Sequence, residues 1–214
     1  MTTPAETLDH ILFLYAGYST EHRATTQPFH LERAKNNVRE YRYEVEDLLV
    51  REPLIEHSGS LPIVATAIYP YIDAPAVNLG DALTMLAIHD IGELVVGDDM
   101  TFTKSKEVAE DEQAHALKLL PETFHEAYLD IEALRTESAR FAKSVDKITP
   151  DIIDVMTPAE VTIKRFKHFV GKEPREIVPL IREFKHGYMV WNDYMTELHS
   201  EVLDRLDAKL RPYY

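Results

Sequence analysis

The residues best placed to do chemistry lie in one run, Asp81 to Asp99, where His89, Asp90 and Glu93 interrupt an otherwise apolar string. Apolar residues surround nearly the whole run, which predicts a central, buried helix. The i to i+4 spacing of His89 and Glu93, and the i to i+3 spacing of Asp90 and Glu93, set all three on neighbouring parts of one face. A carboxylate buried there needs a compensating charge. A self-satisfied His–Glu or Asp–Arg network would supply it. So would a divalent cation ligated by His89 and Asp90, with Glu93 one turn on facing a water on the metal. This run alone leaves both readings open.

Two further ligand candidates stand on other segments. His57 sits in Ile55-Glu-His-Ser58, just ahead of an apolar run, and Asp146 sits between Val145 and Ile148, whose positions point to a buried face. The chain has no cysteine, which excludes disulfides and thiolate metal sites. Any metal must then be held by imidazole and carboxylate, a donor set that suits Mn, Fe, Co, Ni or Zn.

The elements that would position these groups read as helices. Helical stretches are predicted from Pro4 to Tyr15, over residues 28–50, and from Leu54 to Asp73, where Gly59 and Pro62 blur the start. The polar-centred helix begins at a cap on Asn78 or Asp81 and runs to Gly97. Lys104–Leu120 and Pro121–Lys147 follow, the second stopped by Thr149-Pro150. The remainder, from Thr157 to Arg211, reads as two or three helices with a break near Gly171–Pro174. No segment reads as a strand. The expected fold is all-α, one domain over residues 1–214 whose last part, about 157–211, is a helical extension.

Composition bounds the partners. A chain of 214 residues with 45% hydrophobic and 28% charged content is that of a globular protein with a real core. Its formal charge of −14, from 23 basic and 37 acidic residues, disfavours broad binding to nucleic acid or to membrane surfaces. A small anionic substrate could still bind where a metal and one or two cations reverse the local field. The longest apolar stretch is broken by the His-Asp pair and Glu93, so no membrane span is expected. The first residues lack the basic region and cleavage site of a signal peptide, and the expected compartment is the cytoplasm.

The order His57, His89-Asp90, Asp146 resembles the H…HD…D signature of the HD-domain metal-dependent phosphohydrolases. The longer string His89-Asp90-x-x-Glu93-x-x-x-Gly97-Asp98 is similar to the 5′-deoxynucleotidase branch of that superfamily, as are Val50-Arg51-Glu52 and Glu56-His57-Ser58 upstream. An Arg followed by an aromatic, here Arg42-Tyr43, stands at the matching distance before them, with Tyr43 in place of the commoner tryptophan. The resemblance covers residues 38–147, and Gly59 and Pro62 depart from the smooth helix usual after the first metal histidine.

This resemblance implies an HD-domain helical bundle with a metal site between its central helices. It implies one divalent metal ion (Co, Mn, Zn, Fe, Ni or Mg) held by His57, His89, Asp90 and Asp146. Glu93 would act as general base or orient the attacking water, and Asp98 would contact that water or a sugar hydroxyl. Arg42 would clamp the phosphate, Lys104 would be a second phosphate contact, and Tyr43 would pack a base or sugar. The implied reaction is release of phosphate from a (deoxy)nucleoside 5′-monophosphate. Cleavage of a nucleoside triphosphate is the near alternative, and a non-catalytic nucleotide sensor has Glu93 against it. A dinuclear-iron oxygenase would need His115 and His125 as ligands, and both read as surface histidines in acidic stretches. By analogy the expected partners are a small nucleotide and a second copy of the chain in a homodimer. The stripe from Tyr188 through Trp191 to Met195 reads as core or subunit contact rather than as pocket wall.

Overall fold

The computed structural model describes residues 13, 17, 18, 21–26, 51–98, 102 and 104–214. The helices expected over 4–15 and 28–50 lie outside the described residues, as do Arg42 and Tyr43.

The architecture is all-α, with one short antiparallel ribbon. Its strands, β1 (His22–Thr26) and β2 (Arg51–Pro53), pair His22 with Pro53 and Thr26 with Arg51. No strand was expected. Three residues of Arg-Glu-Pro are too short to show a period of two, so the pairing is a long-range event that local pattern does not announce.

Helix α1 (Leu54–Ile68) leaves β2 directly and contains Pro62. It stays helical because His57, Leu61 and Ala65 form one fully buried stripe, and packing overrides the lost amide. The Ser60 hydroxyl donates to the His57 carbonyl at 2.7 Å. A 3-10 turn, Tyr69–Tyr71, ends the segment short of the expected Asp73.

Helix α2 (Leu79–Ile88) is capped by Asn78, whose side-chain oxygen accepts from Gly80 and Asp81 at 2.8 and 3.2 Å. It stops at His89. The continuous helix expected through to Gly97 is instead two pieces, α2 and the one-turn α3 (Glu93–Val96), joined by a tight turn over residues 89–92. Within that turn the amides of Ile91 and Glu93 donate three residues back, to Ile88 and Asp90 at 3.2 and 3.0 Å. Helix α4 (Lys106–Leu119) crosses so close to Gly92 that an added Cβ would lie 2.4 Å from the Glu112 carbonyl oxygen.

After α4, a 3-10 turn at Glu122–Phe124 leads to α5 (His125–Ala133), which ends with Leu134 in a left-handed conformation at φ 53°. Helix α6 (Glu137–Met156) then starts on a Thr136 cap and runs straight through Pro150. Sequence reading expected one helix over Pro121–Lys147 stopped by that proline, so break and continuation are exchanged. Buried Asp151, Ile153 and Asp154 continue the inward face of α6 beyond Pro150, where it packs on the last two helices. Those are α8 (Pro174–Met189) and α9 (Asp193–Leu210), reached through α7 (Ala159–Val170), with Gly171 at φ 66° making the expected break.

One core cluster joins α1, α2, α5, α6 and the start of α9 around Leu61, Leu86, Phe141 and Met195. A second joins α7, α8 and α9 around Phe166, Ile181 and Leu206. Helix α6 packs against members of both groups. Among the described residues, no helix is long and apolar enough to cross a membrane.

Candidate metal centre

Three helices deliver the cluster. His57 comes from the buried stripe of α1, His89 and Asp90 from the turn after α2, and Asp146 from the middle of α6. His57 Nε2 and His89 Nε2 each lie 3.4 Å from Asp146 Oδ1. Asp90 completes the ring, its Oδ1 3.0 Å from His89 Nε2 and its Oδ2 3.7 Å from His57 Nε2. Nitrogen and oxygen ligands about 2.0–2.2 Å from one ion sit roughly 3.0–3.5 Å from one another, which is the spacing here. All four side chains are buried, and among the described residues His57, His89 and Asp146 are the group with ligand atoms gathered this closely.

The imidazoles are aimed as ligands. His89 Nδ1 lies 2.9 Å from the Leu86 carbonyl, an acceptor that keeps a proton on Nδ1 and leaves Nε2 facing the carboxylates. His57 Nδ1 faces Glu52 at 3.5 Å, and Glu52 is fully buried. Neither Nε2 has a hydrogen-bond partner. Burial would raise the Asp90 and Asp146 carboxyls. Asp90 is nevertheless held well below its ordinary range by His89 and Arg23, and Asp146 by Lys147 and His89. Burial alone would lower His89, but Asp90 and Asp146 outweigh it and push the imidazole up to about 10. Ionised carboxylates converging on orphaned imidazole nitrogens demand a cation, and the donor set fits a divalent metal.

Glu93 opens α3 beside this cluster. Burial, and then the charge of Asp90, push its carboxyl well above the usual range against the opposing pull of Arg23. Arg23 Nη1 reaches Asp90 Oδ2 at 2.5 Å and Glu93 Oε2 at 3.7 Å. Lys104 Nζ stands 3.8 Å from Glu93 Oε1 and is ion-paired with Glu112. Asp98, just beyond Gly97, adds to the negative potential at both Glu93 and Arg23. A cavity of about 480 Å³ opens on the cluster, lined by Arg23, His89, Asp90, Glu93, Lys104, Lys143, Lys147 and Tyr188 among others.

The structure therefore brings together seven of the nine expected site residues, His57, His89, Asp90, Glu93, Asp98, Lys104 and Asp146, while Arg42 and Tyr43 lie outside the described residues. Sequence reading missed Arg23, Glu52, Lys143 and Lys147. Glu52 was visible in the string before His57, and Lys143 and Lys147 flank Asp146 at helical spacing. Arg23 had no local signal, because only the β1–β2 pairing carries it to Asp90. His115 and His125 are held by the Asp111 and Leu120 carbonyls at 2.9 and 3.0 Å, and neither joins the cluster.

With this geometry the comparisons agree. An HD-domain family model matches residues 31–184, and the chain belongs to that family. The match extends beyond the motif-bearing region into α8. A crystal structure from Magnetospirillum magnetotacticum MS-1, that of a predicted metal-dependent phosphohydrolase, shares the fold with a TM-score of 0.61. It is 24% identical, and the alignment covers 94% of this chain and 95% of that one. No curated protein matches the sequence.

Proposed function

We propose that this protein is a metal-dependent phosphohydrolase that releases phosphate from (deoxy)nucleoside 5′-monophosphates. The observation that supports it is the placement, in one cavity, of a buried two-histidine, two-aspartate cluster beside a carboxylate of raised basicity and several cations. His57, His89, Asp90 and Asp146 would hold a divalent metal, which would polarise the phosphoryl group and acidify a water.

The remaining work falls to side chains of this chain. In hydrolysis a water oxygen bonds to phosphorus as the ester P–O bond breaks, and the water's proton must find a base. Glu93 is that base, since burial makes its carboxylate a better proton acceptor than a solvated one. Arg23 and Lys104, on either side of Glu93, face the incoming negative charge of the phosphate. Asp98 contacts a sugar hydroxyl. Arg42 and Tyr43 remain part of the proposal as phosphate and base contacts.

The test is metal analysis of the purified protein, joined to phosphate release from a panel of nucleoside mono- and triphosphates with Mn, Co, Zn or Mg added. About one metal per chain and release from monophosphates would support the reading. Release only of pyrophosphate or triphosphate would move it to triphosphates, and two irons with no release would overturn it.

A further inference from the structure

A second, smaller cavity of about 160 Å³ lies against the first, between the end of α5 and the end of α8. Its walls are Leu134, Tyr188, Val190 and Trp191, with exposed Arg140 and Gly187 beside them. Leu134 and Tyr188 belong to the walls of both cavities. Lys147 links the two spaces, its Nζ being 3.0 Å from Asp146 Oδ2 and 6.0 Å from the centre of the Tyr188 ring. A molecule with its anionic end at the carboxylate–imidazole cluster would therefore have its next ring-sized group at Tyr188.

The groove is built rather than incidental. The Trp191 indole N–H donates to the Ser144 hydroxyl at 2.7 Å, and that hydroxyl lies 2.6 Å from the Tyr188 carbonyl. One serine thus fixes both aromatic residues. Leu134 caps α5 at φ 53°, the one positive φ at a non-glycine residue among the described residues. Helices end this way on glycine at no steric cost, so a leucine held there indicates a use for its side chain. Arg140 Nε donates to the Leu134 carbonyl at 3.3 Å and holds the strained turn in place.

We propose that this groove receives the leaving group of the phosphoester, a planar, uncharged aromatic or heteroaromatic ring. The proposal rests on the phosphohydrolase reading of the adjoining cluster. An apolar cavity of about 150 Å³ accommodates benzene, and the Tyr188 and Trp191 rings offer faces and edges to a flat partner. Arg140 meets the polar edge of a heterocycle. Leu134, Tyr188 and Trp191 then set specificity without touching the phosphoryl group, and the stripe expected to be core or subunit contact supplies two of the three.

Trp191 is the chain's single tryptophan, so its fluorescence reports on the groove directly. The metal-loaded full chain is titrated with phenylphosphonate and with methylphosphonate, which it cannot hydrolyse, and phenyl and methyl phosphate are assayed for turnover. Phenylphosphonate is expected to change Trp191 emission and methylphosphonate to leave it unchanged. Leu134→Gly is expected to weaken phenylphosphonate about tenfold and to spare methylphosphonate, measured by competition. Glycine adopts this φ freely, so this variant keeps its Tm or gains. Tyr188→Leu tests the ring with the backbone untouched, and should lower kcat/KM for phenyl phosphate more than for methyl phosphate. Unchanged emission with bound phenylphosphonate, or equal effects of both variants on the two phosphonates, would overturn the groove. Absence of phosphate release from every ester would retire the phosphohydrolase reading instead, while the titration still decides the groove.

Discussion

Helix α6 bears two buried charge clusters a turn apart, and they are resolved in opposite ways. At Asp151 the charge is closed by protein. Lys185 Nζ donates to Asp151 Oδ1 at 2.6 Å and to the Lys147 carbonyl at 2.9 Å, and His199 lies 3.2 Å from Asp151 Oδ2. Arg165 Nη2 likewise reaches both oxygens of Asp154, at 2.7 and 2.5 Å. At Asp146, Lys147 Nζ stands 3.0 Å from Oδ2, while the two imidazole Nε2 atoms 3.4 Å from Oδ1 make no hydrogen bond. Burial and charge are similar in the two places. What separates the two is whether the carboxylate and imidazole atoms find hydrogen-bond partners within the chain.

That contrast can be broken by substitution. Glu93→Gln keeps shape and removes the proposed base, so kcat should fall by about 10²–10⁴-fold with metal content unchanged. Asp146→Ala, by comparison, should abolish both metal binding and turnover while the metal-free protein stays folded. Lys185→Ala belongs to the other cluster. It leaves Asp151 buried without its cation and should cost about 3–5 kcal/mol in denaturant unfolding, with activity per folded molecule retained. Equal loss of stability in Asp146→Ala and Lys185→Ala would erase the distinction. Chelation is the gentler probe: at a free metal concentration near 100 times its Kd, the ion stabilises the fold by about 2.7 kcal/mol, so Tm should drop on its removal. The smallest effect is expected from Glu52→Gln, about 10–100-fold in metal affinity through the orientation of His57, read by competition with a metal indicator.

Much of the ligand set was legible in the sequence because its signals are local. His89, Asp90 and Glu93 stand in one apolar run, and His57 and Asp146 each sit within a short apolar context. The helix boundaries around them were less so. The apolar pattern runs on past His89, and nothing in it shows the turn over residues 89–92 or the close pass of α4 at Gly92. Pro150 gave the opposite error, a stop signal overridden by burial on α8 and α9. Arg23 shows the limit most clearly. It is an ordinary arginine in an ordinary string, and only strand pairing across residues 27–50 makes it a neighbour of Asp90.

The contact at Gly92 also bears on how such a site can vary over time. Any side chain at this position would strike the Glu112 backbone, which no rotamer change can relieve, so the wall formed by α3 and α4 is frozen at one separation. Lys104 and Glu112 are ion-paired beside it. The rest of the cavity lining includes Leu134, Lys143, Lys147 and Tyr188, and Gly187 next to them has open space around it. Lineages that inherit this scaffold can explore new substrates by exchanging residues on α6 and at the ends of α5 and α8, while Glu93 and its neighbours stay as they are.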